Sequence, residues 1–317
     1  MIFFYIVIFI ISFFLLILSS NWLVGALTKL AKFLGWKEFV VAFFTMALAS
    51  SIPNLSVGIS SALHKIPALS FGEIVGGNII DLTIAIALAT LISRKGLSLN
   101  SQVVQGSAIF VIIIAILPML LAFDKTLSRM DGLVLISAFV IYISWLFNKR
   151  ERFCKKYNHI AQLMGFKAIF KNLIILLIAL TLLLLAAEGI VRSVTYFSTT
   201  LNFPVALIGI LIVGLGNALP EIFFSIQAAK RGEDWMVIGN LMGSVIILIT
   251  LVLGTVVLIR PIEIVNFSPF AIGRFFLIVS AAFFLLFLRT GKKITKKEAV
   301  FLLVIYLLFV LAEILFS

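Results

Sequence analysis

The sequence predicts an all-α membrane protein with ten transmembrane helices, arranged as two inverted five-helix repeats. Three observations predict it. Of 317 residues, 63% are hydrophobic and 12% charged, with a mean hydropathy of +1.26, whereas a soluble domain carries about twice that share of charge. Apolar stretches of about 20 residues, each long enough to cross a ~30 Å hydrocarbon core, recur along the chain. The sequence also overlays itself without a gap at an offset of 167 residues.

In order, the expected spans are 2–27, 38–62, 69–93, 103–123, 130–148, 168–196, 203–229, 235–259, 270–288 and 297–316. The first and sixth are over-long for a perpendicular crossing, which tilt accommodates. The first run lacks a basic leader and an A-x-A cleavage site, so it reads as a retained span.

With ten spans, the loops after odd-numbered spans share one side of the membrane. Those loops carry 19 of the 25 Lys and Arg residues. The positive-inside rule therefore places the odd loops in the cytoplasm and both termini outside, in a cell membrane. The net charge of +12 is thus topogenic. Nucleic-acid binding is excluded, because no basic face is interleaved with stacking aromatics. Cys154 is the single cysteine, and His64 and His159 both fall in loops, so no His/Cys metal cluster can form.

The internal repeat is the most informative feature. "VVAFFTMALASSIPNLSVGISSALHK" lies over "LIGILIVGLGNALPEIFFSIQAAKRG", and "FGEIVGGNIIDLT" over "IGNLMGSVIILIT". Pro53 meets Pro220, Gly72 meets Gly239, Gly76 meets Gly243, and Asn54 meets Glu221. The halves run over 1–148 and 168–317, joined by a basic cytoplasmic loop at 149–167, with repeat motifs at about 40–93 and 207–259. A unit of five spans is odd, so the second copy enters the membrane in the opposite direction.

Matching spans interrupted by Gly and Pro are a mark of transporters whose site lies near the midplane. Pro53 cannot donate to the carbonyl of Ala49, nor Pro220 to that of Gly216, so a helix break is expected at each. Freed carbonyls and polar side chains at such breaks suit hard cations.

Glu221 and Asp81 are the acids deepest in spans, and both lie in the repeat motifs. A charge at that depth costs at least ~2.5 kcal/mol and marks function by default. Glu73, Gly77 and Asp81 follow i, i+4, i+8 and share a helix face; Glu73 reads either as a member of the site or as an interfacial residue. Glu188, opposite Asn21 in the repeat, reads as a helix–helix hydrogen-bonding group. Ser50, Ser51, Asn54, Asn78, Asn217 and Ser244 supply neutral oxygens beside these acids.

At these residues the sequence resembles the cation/calcium antiporter superfamily, the prokaryotic ten-span sodium/calcium exchanger-like members in particular. Its motifs, approximately G-T-S-[LIV]-P-E and G-[NS]-x-x-G-S-N-x-x-[DN], are matched by "ASSIPN" and "GEIVGGNIID" in the first half. In the second half the matches are "GNALPE" and "GNLMGSVIIL". The resemblance implies Ca²⁺ ligation by Glu221, with Asn54 where the family has its other central glutamate. The acid or amide closing the second motif is Asp81 in the first half but Leu248 in the second, and Gly77 replaces a serine. The metal ligands expected on this basis are Glu221, Asp81 and Asn54.

The implied activity is exchange of Ca²⁺, or a related cation, against Na⁺ by alternating access. The alternatives are H⁺ as counter-ion, a channel, or a relative with altered transport. An enzyme is not expected, since no catalytic aspartate pair, Ser/Lys or Ser/His pair, or Asp-rich motif is present. No cofactor is expected. The expected partners are inorganic cations and the lipid bilayer, with the chain a monomer.

Overall fold

Lipid inverts the usual solvent preference, so a chain of this composition turns polar groups inward and satisfies its backbone within helices. The structure, a computed structural model, describes residues 2–33, 50–93, 96–98, 102–148, 166–232, 234–264, 267–291 and 293–316. Cys154, His159, nearly all of the basic loop and the first part of the second expected span lie outside the described residues.

The first half contributes helices α1 (Ile2–Phe33), α2 (Ile52–Leu63), α3 (Pro67–Ile92), α4 (Gln102–Leu121) and α5 (Arg129–Asn148). The second contributes α6 (Phe166–Leu201), α7 (Val205–Lys230), α8, α9 (Phe267–Gly291) and α10 (Lys296–Phe316). Helix α8 runs from Asp234–Ile247 through a π turn, Leu248–Val252, into Leu253–Ile259. Among the described residues, eight helices are long and apolar enough to cross a membrane; α2 and the stretch Ala108–Asp124 are apolar but shorter.

Helices α3 and α8 are enclosed on nearly all sides, whereas α1, α5 and α10 turn most of their surface outward. That exterior is apolar, with Phe3, Phe14, Leu185 and Leu307 among the side chains exposed on it. A soluble surface does not carry such a patch; hydrocarbon is its solvent.

The 167-residue register extends from the sequence to the backbone. Pro67–Ile80 answers Asp234–Ile247, the π turn Asp81–Ala85 answers Leu248–Val252, and Ile86–Ile92 answers Leu253–Ile259. Helix starts match as well. Ser128 and Asp131 cap α5 reciprocally, the Ser128 amide donating to the carboxylate at 2.7 Å. Thr295 and Glu298 do the same for α10, again with an amide bond of 2.7 Å. The turn after α2 places Lys65 at φ 65°, and the turn after α7 places Gly232 at φ 74°.

Two short ribbons are the non-helical exception among the described residues. Strand β1 (Leu97–Ser98) pairs antiparallel with β4 (Lys293–Ile294), and β2 (Thr126–Leu127) with β3 (Ile262–Glu263). Each ribbon therefore joins one half to the other. Helix contacts follow the same exchange: α1 lies along α6, α4 packs on α9, the end of α3 on α10, and the end of α8 on α5.

One expectation needs correction. The break near the first proline is present in part: α2 starts at Ile52 with Pro53 in its first turn, where a missing amide costs nothing. At Pro220 no break occurs, and the helix passes through it from Gly214 to Lys230. Proline removes one backbone bond, to the Gly216 carbonyl, and the flanking turns are held by tertiary packing against α3 and α8. The irregularity in α7 is instead a π turn at Gly209–Val213.

Candidate cation site

The centre of the molecule is the crossing of α3 and α7, which approach backbone to backbone. A Cβ on Gly76 would run into the carbonyl oxygen of Ile210, and one on Gly72 into that of Ala206. From the other side, a Cβ on Gly214 would sit 2.8 Å from the Gly77 amide nitrogen, and one on Gly209 2.5 Å from the Leu69 carbonyl oxygen. Small residues permit this approach, as at membrane helix interfaces generally. The close crossing places the polar face of α3 (Glu73, Gly77, Asp81) against that of α7 (Asn217, Glu221).

Among the sequence-predicted residues, Ser51, Pro53, Asn54, Glu73, Asn78, Asp81, Asn217, Glu221 and Ser244 are all buried, while Ser50 and Pro220 are half-buried. The Asn217 Nδ2 donates to Glu73 Oε1 across the crossing. The Asp81 carboxylate lies within electrostatic reach of Glu221, with the Ser244 hydroxyl facing it. The Ser50 hydroxyl bonds to Glu221. Glu73 is thus buried in the crossing and bonded to Asn217 of α7.

Several of these groups have an oxygen with nowhere to go. Asn54 Oδ1, Glu73 Oε2, Asn78 Oδ1, Asp81 Oδ1, Asn217 Oδ1 and Glu221 Oε2 are buried without a hydrogen-bond partner among the described residues. Leaving one buried polar atom unpaired costs about 1–3 kcal/mol, so such a concentration calls for a ligand. No described Lys, Arg or His pairs with the three acids, whereas Glu188 meets both His64 and Arg192. Asn78 Nδ2 is the one buried, unpaired N–H donor beside these oxygens among the described residues, and a cluster so rich in acceptors suits a cation. No three acids, His or Cys converge on one point among the described residues, so amide and hydroxyl oxygens must complete any such shell.

Two polar residues escaped the sequence reading. Asn240 is buried in α8 at the repeat position of Glu73, a signal available from the 167-residue offset. Ser225 is buried with its hydroxyl unpartnered, one turn beyond Glu221; the i, i+4, i+8 spacing of Asn217, Glu221 and Ser225 carries that signal.

A cleft of about 470 Å³ opens between α1 and α7, lined by Ile17, Asn21, Pro220, Phe223, Gln227 and Arg231 among others. It reaches Pro220, the residue next to Glu221. Glu188, on α6, is outside the cluster and bonds to Ser60 of α2 at 3.0 Å.

The sequence pattern of the family described as sodium/calcium exchanger protein matches residues 4–148 and 171–315. The chain belongs to that family. Both matched stretches have the same length, and they lie 167 residues apart. Relatives of this exchanger-family chain include the sodium/calcium exchanger MaX1 of Methanosarcina acetivorans, 24% identical, with 93% of this chain and 94% of that protein aligned. Another is the inner membrane protein YrbG of Escherichia coli, 26% identical, with 86% and 85% aligned. The fold is shared with the sodium–calcium exchanger NCX_Mj, at a TM-score of 0.68 and 23% identity, covering 98% of this chain and 99% of that one. Its family is one of membrane transporters, not of enzymes.

Proposed function

We propose that this exchanger-family protein is a secondary active antiporter that moves Ca²⁺, or a related cation, against Na⁺ through one central site. The scaffold of the proposal has ten spans in two inverted halves, 1–148 and 168–317, with both termini outside a cell membrane. One chain supplies the whole site, so a monomer suffices.

The observation that carries the proposal is the buried cluster of unpaired oxygens around Asp81 and Glu221, contributed by both halves. A divalent ion in a low-dielectric site needs about two negative charges and six to eight oxygens. Asp81 and Glu221 supply the charges, and Asn54, Asn78, Asn217 and Ser244 supply neutral oxygens. Glu73, held by Asn217, replaces in part the negative charge that Asn54 lacks. Na⁺ competes for the same oxygens, and this competition couples the two fluxes: the acids are not left empty as the site changes sides. Sliding of α1 and α6, the two over-long helices, over the rest of the bundle switches access.

The test is ⁴⁵Ca²⁺ uptake into proteoliposomes loaded with Na⁺, compared with vesicles lacking the Na⁺ gradient. Antiport gives uptake only with the opposing gradient. Uptake equal in both preparations makes the protein a channel, and uptake driven by a proton gradient alone replaces Na⁺ by H⁺.

A further inference from the structure

The two ends of the ion path are not in the same condition, and the repeat makes the comparison exact in register. The residues lining the open cleft, Asn21, Pro220, Phe223, Gln227 and Arg231, have as counterparts 167 residues away Glu188, Pro53, Ser56, Ser60 and His64. On the counterpart side α6 lies along α2, whereas α1 makes few contacts with α7. Ser56 is buried there, while its counterpart Phe223 is 64% exposed.

Polar bonds tie the closed side together. Glu188 of α6 accepts from Ser60 Oγ at 3.0 Å and from Arg192 Nε at 2.6 Å, and meets His64 Nε2 at 3.1 Å. The other ring nitrogen, His64 Nδ1, lies 2.9 Å from the Ser60 carbonyl oxygen. Both neighbours of the imidazole are therefore acceptors: a carbonyl that cannot donate, and the carboxylate oxygen already holding Arg192. A neutral imidazole has one N–H and one lone pair. It can satisfy one of these oxygens and must turn its lone pair on the other. Only the doubly protonated ring makes both bonds. The open side has no equivalent, because Asn21 stands where Glu188 does and Arg231 where His64 does.

We infer that Glu188 and His64 form a proton-dependent latch that holds α6 against α2 and seals the outward end of the ion path while the cytoplasmic cleft is open. The sidedness rests on the antiporter reading above. Arg192 shares the carboxylate, but as an i, i+4 neighbour on α6 it cannot hold that helix to α2. The remaining ionisable groups on elements packed against α2 are Glu73 and Asp81 of α3, in the central site, Tyr5, Lys29 and Lys32 of α1, and Lys167, Lys171 and Tyr196 of α6; Lys65 follows His64 in the turn. The stretch Leu253–Ile259 of α8 has none. Both bonds need the doubly protonated ring, so external acid closes the latch and external alkali loosens it. The proton here is a regulator and not cargo.

The full-length protein in proteoliposomes, with Cys154→Ser, would carry one reporter cysteine at Ser56. A membrane-impermeant maleimide is applied from the outward side at pH 6 and pH 8.5, with rates normalised to a cysteine at the exposed Leu63 so that thiol ionisation cancels. The latch predicts protection at pH 6 and labelling faster by about tenfold at pH 8.5, the worth of roughly one charge-assisted hydrogen bond. In Glu188→Gln and in His64→Gln, labelling should be fast at both pH values. Protection that persists in both variants, or a pH dependence that survives without His64, overturns the latch. Labelling needs no transport, so the two readings fail separately: unchanged labelling with intact exchange sinks the latch alone, and latch-dependent labelling without exchange sinks the antiporter alone.

Discussion

Replacing Glu221 with Gln removes one charge from the centre and almost nothing else. The side chain keeps its length and an oxygen that Ser50 can bond to, and the position is buried, so the packing around it stays. At an effective dielectric of about 20, a unit charge about 4 Å away interacts by about 4 kcal/mol. A monovalent ion therefore loses about 4 kcal/mol of attraction and a divalent ion about 8 kcal/mol. Relief of the repulsion between Glu221 and Asp81 returns some of this, equally for both ions. The difference between the ions, about 4 kcal/mol, is on the order of a thousandfold in relative affinity. Ca²⁺ and Na⁺ binding to the purified protein, measured by titration calorimetry in wild type and Glu221→Gln, give the ratio. Ca²⁺ transport should be abolished, with Na⁺ binding still measurable at high concentration. Equal loss for the two ions would refute electrostatic ligation at Glu221, and full activity would put the ion elsewhere.

Asp81→Asn should reduce divalent uptake nearly as far, since buried Leu248 occupies the counterpart position and no acid can stand in. Asn54→Glu, read by the same uptake assay, should retain or strengthen divalent binding, because the Asn54 oxygen is buried and unpartnered; complete loss would show that the charge lands outside the site. Lowering pH from about 7.5 to about 5.5 should weaken uptake as protons neutralise the acids. Measured in His64→Gln, that loss reports the central site without the latch. Gly76→Val places a side chain against the Ile210 carbonyl, so thermal unfolding in detergent should show a loss of at least about 1–3 kcal/mol; an unchanged Tm would mean that α3 and α7 are not in backbone contact.

Much of this protein was legible because lipid makes a simple rule. Apolar runs of sufficient length become helices, and apart from α2, whose expected first part lies outside the described residues, the helices found begin and end close to the runs from which they were expected. The internal offset reached further than the run lengths, because equal local sequence makes equal local structure. Ser128–Asp131 and Thr295–Glu298 cap their helices in the same way, and Lys65 and Gly232 turn the chain at matching points. Depth in an apolar run singled out Asp81 and Glu221, since a buried acid costs too much to be kept without use.

Tertiary structure decided what local sequence leaves degenerate. Pro220 stays inside a continuous helix because packing on α3 and α8 outweighs one lost backbone bond. The π turns at Asp81–Ala85 and Leu248–Val252 carry no compositional sign; they are matched only because the two halves are. Nothing in the local sequence of Glu73 shows that the α3–α7 crossing pairs it with Asn217, 144 residues away. The open side of the molecule was hidden for a stronger reason. The repeat makes the α1–α7 and α2–α6 seams equivalent in register, so sequence comparison alone cannot say which one closes. The bonds of Glu188 to Ser60 and His64, whose counterparts are Asn21, Gln227 and Arg231, distinguish the two seams.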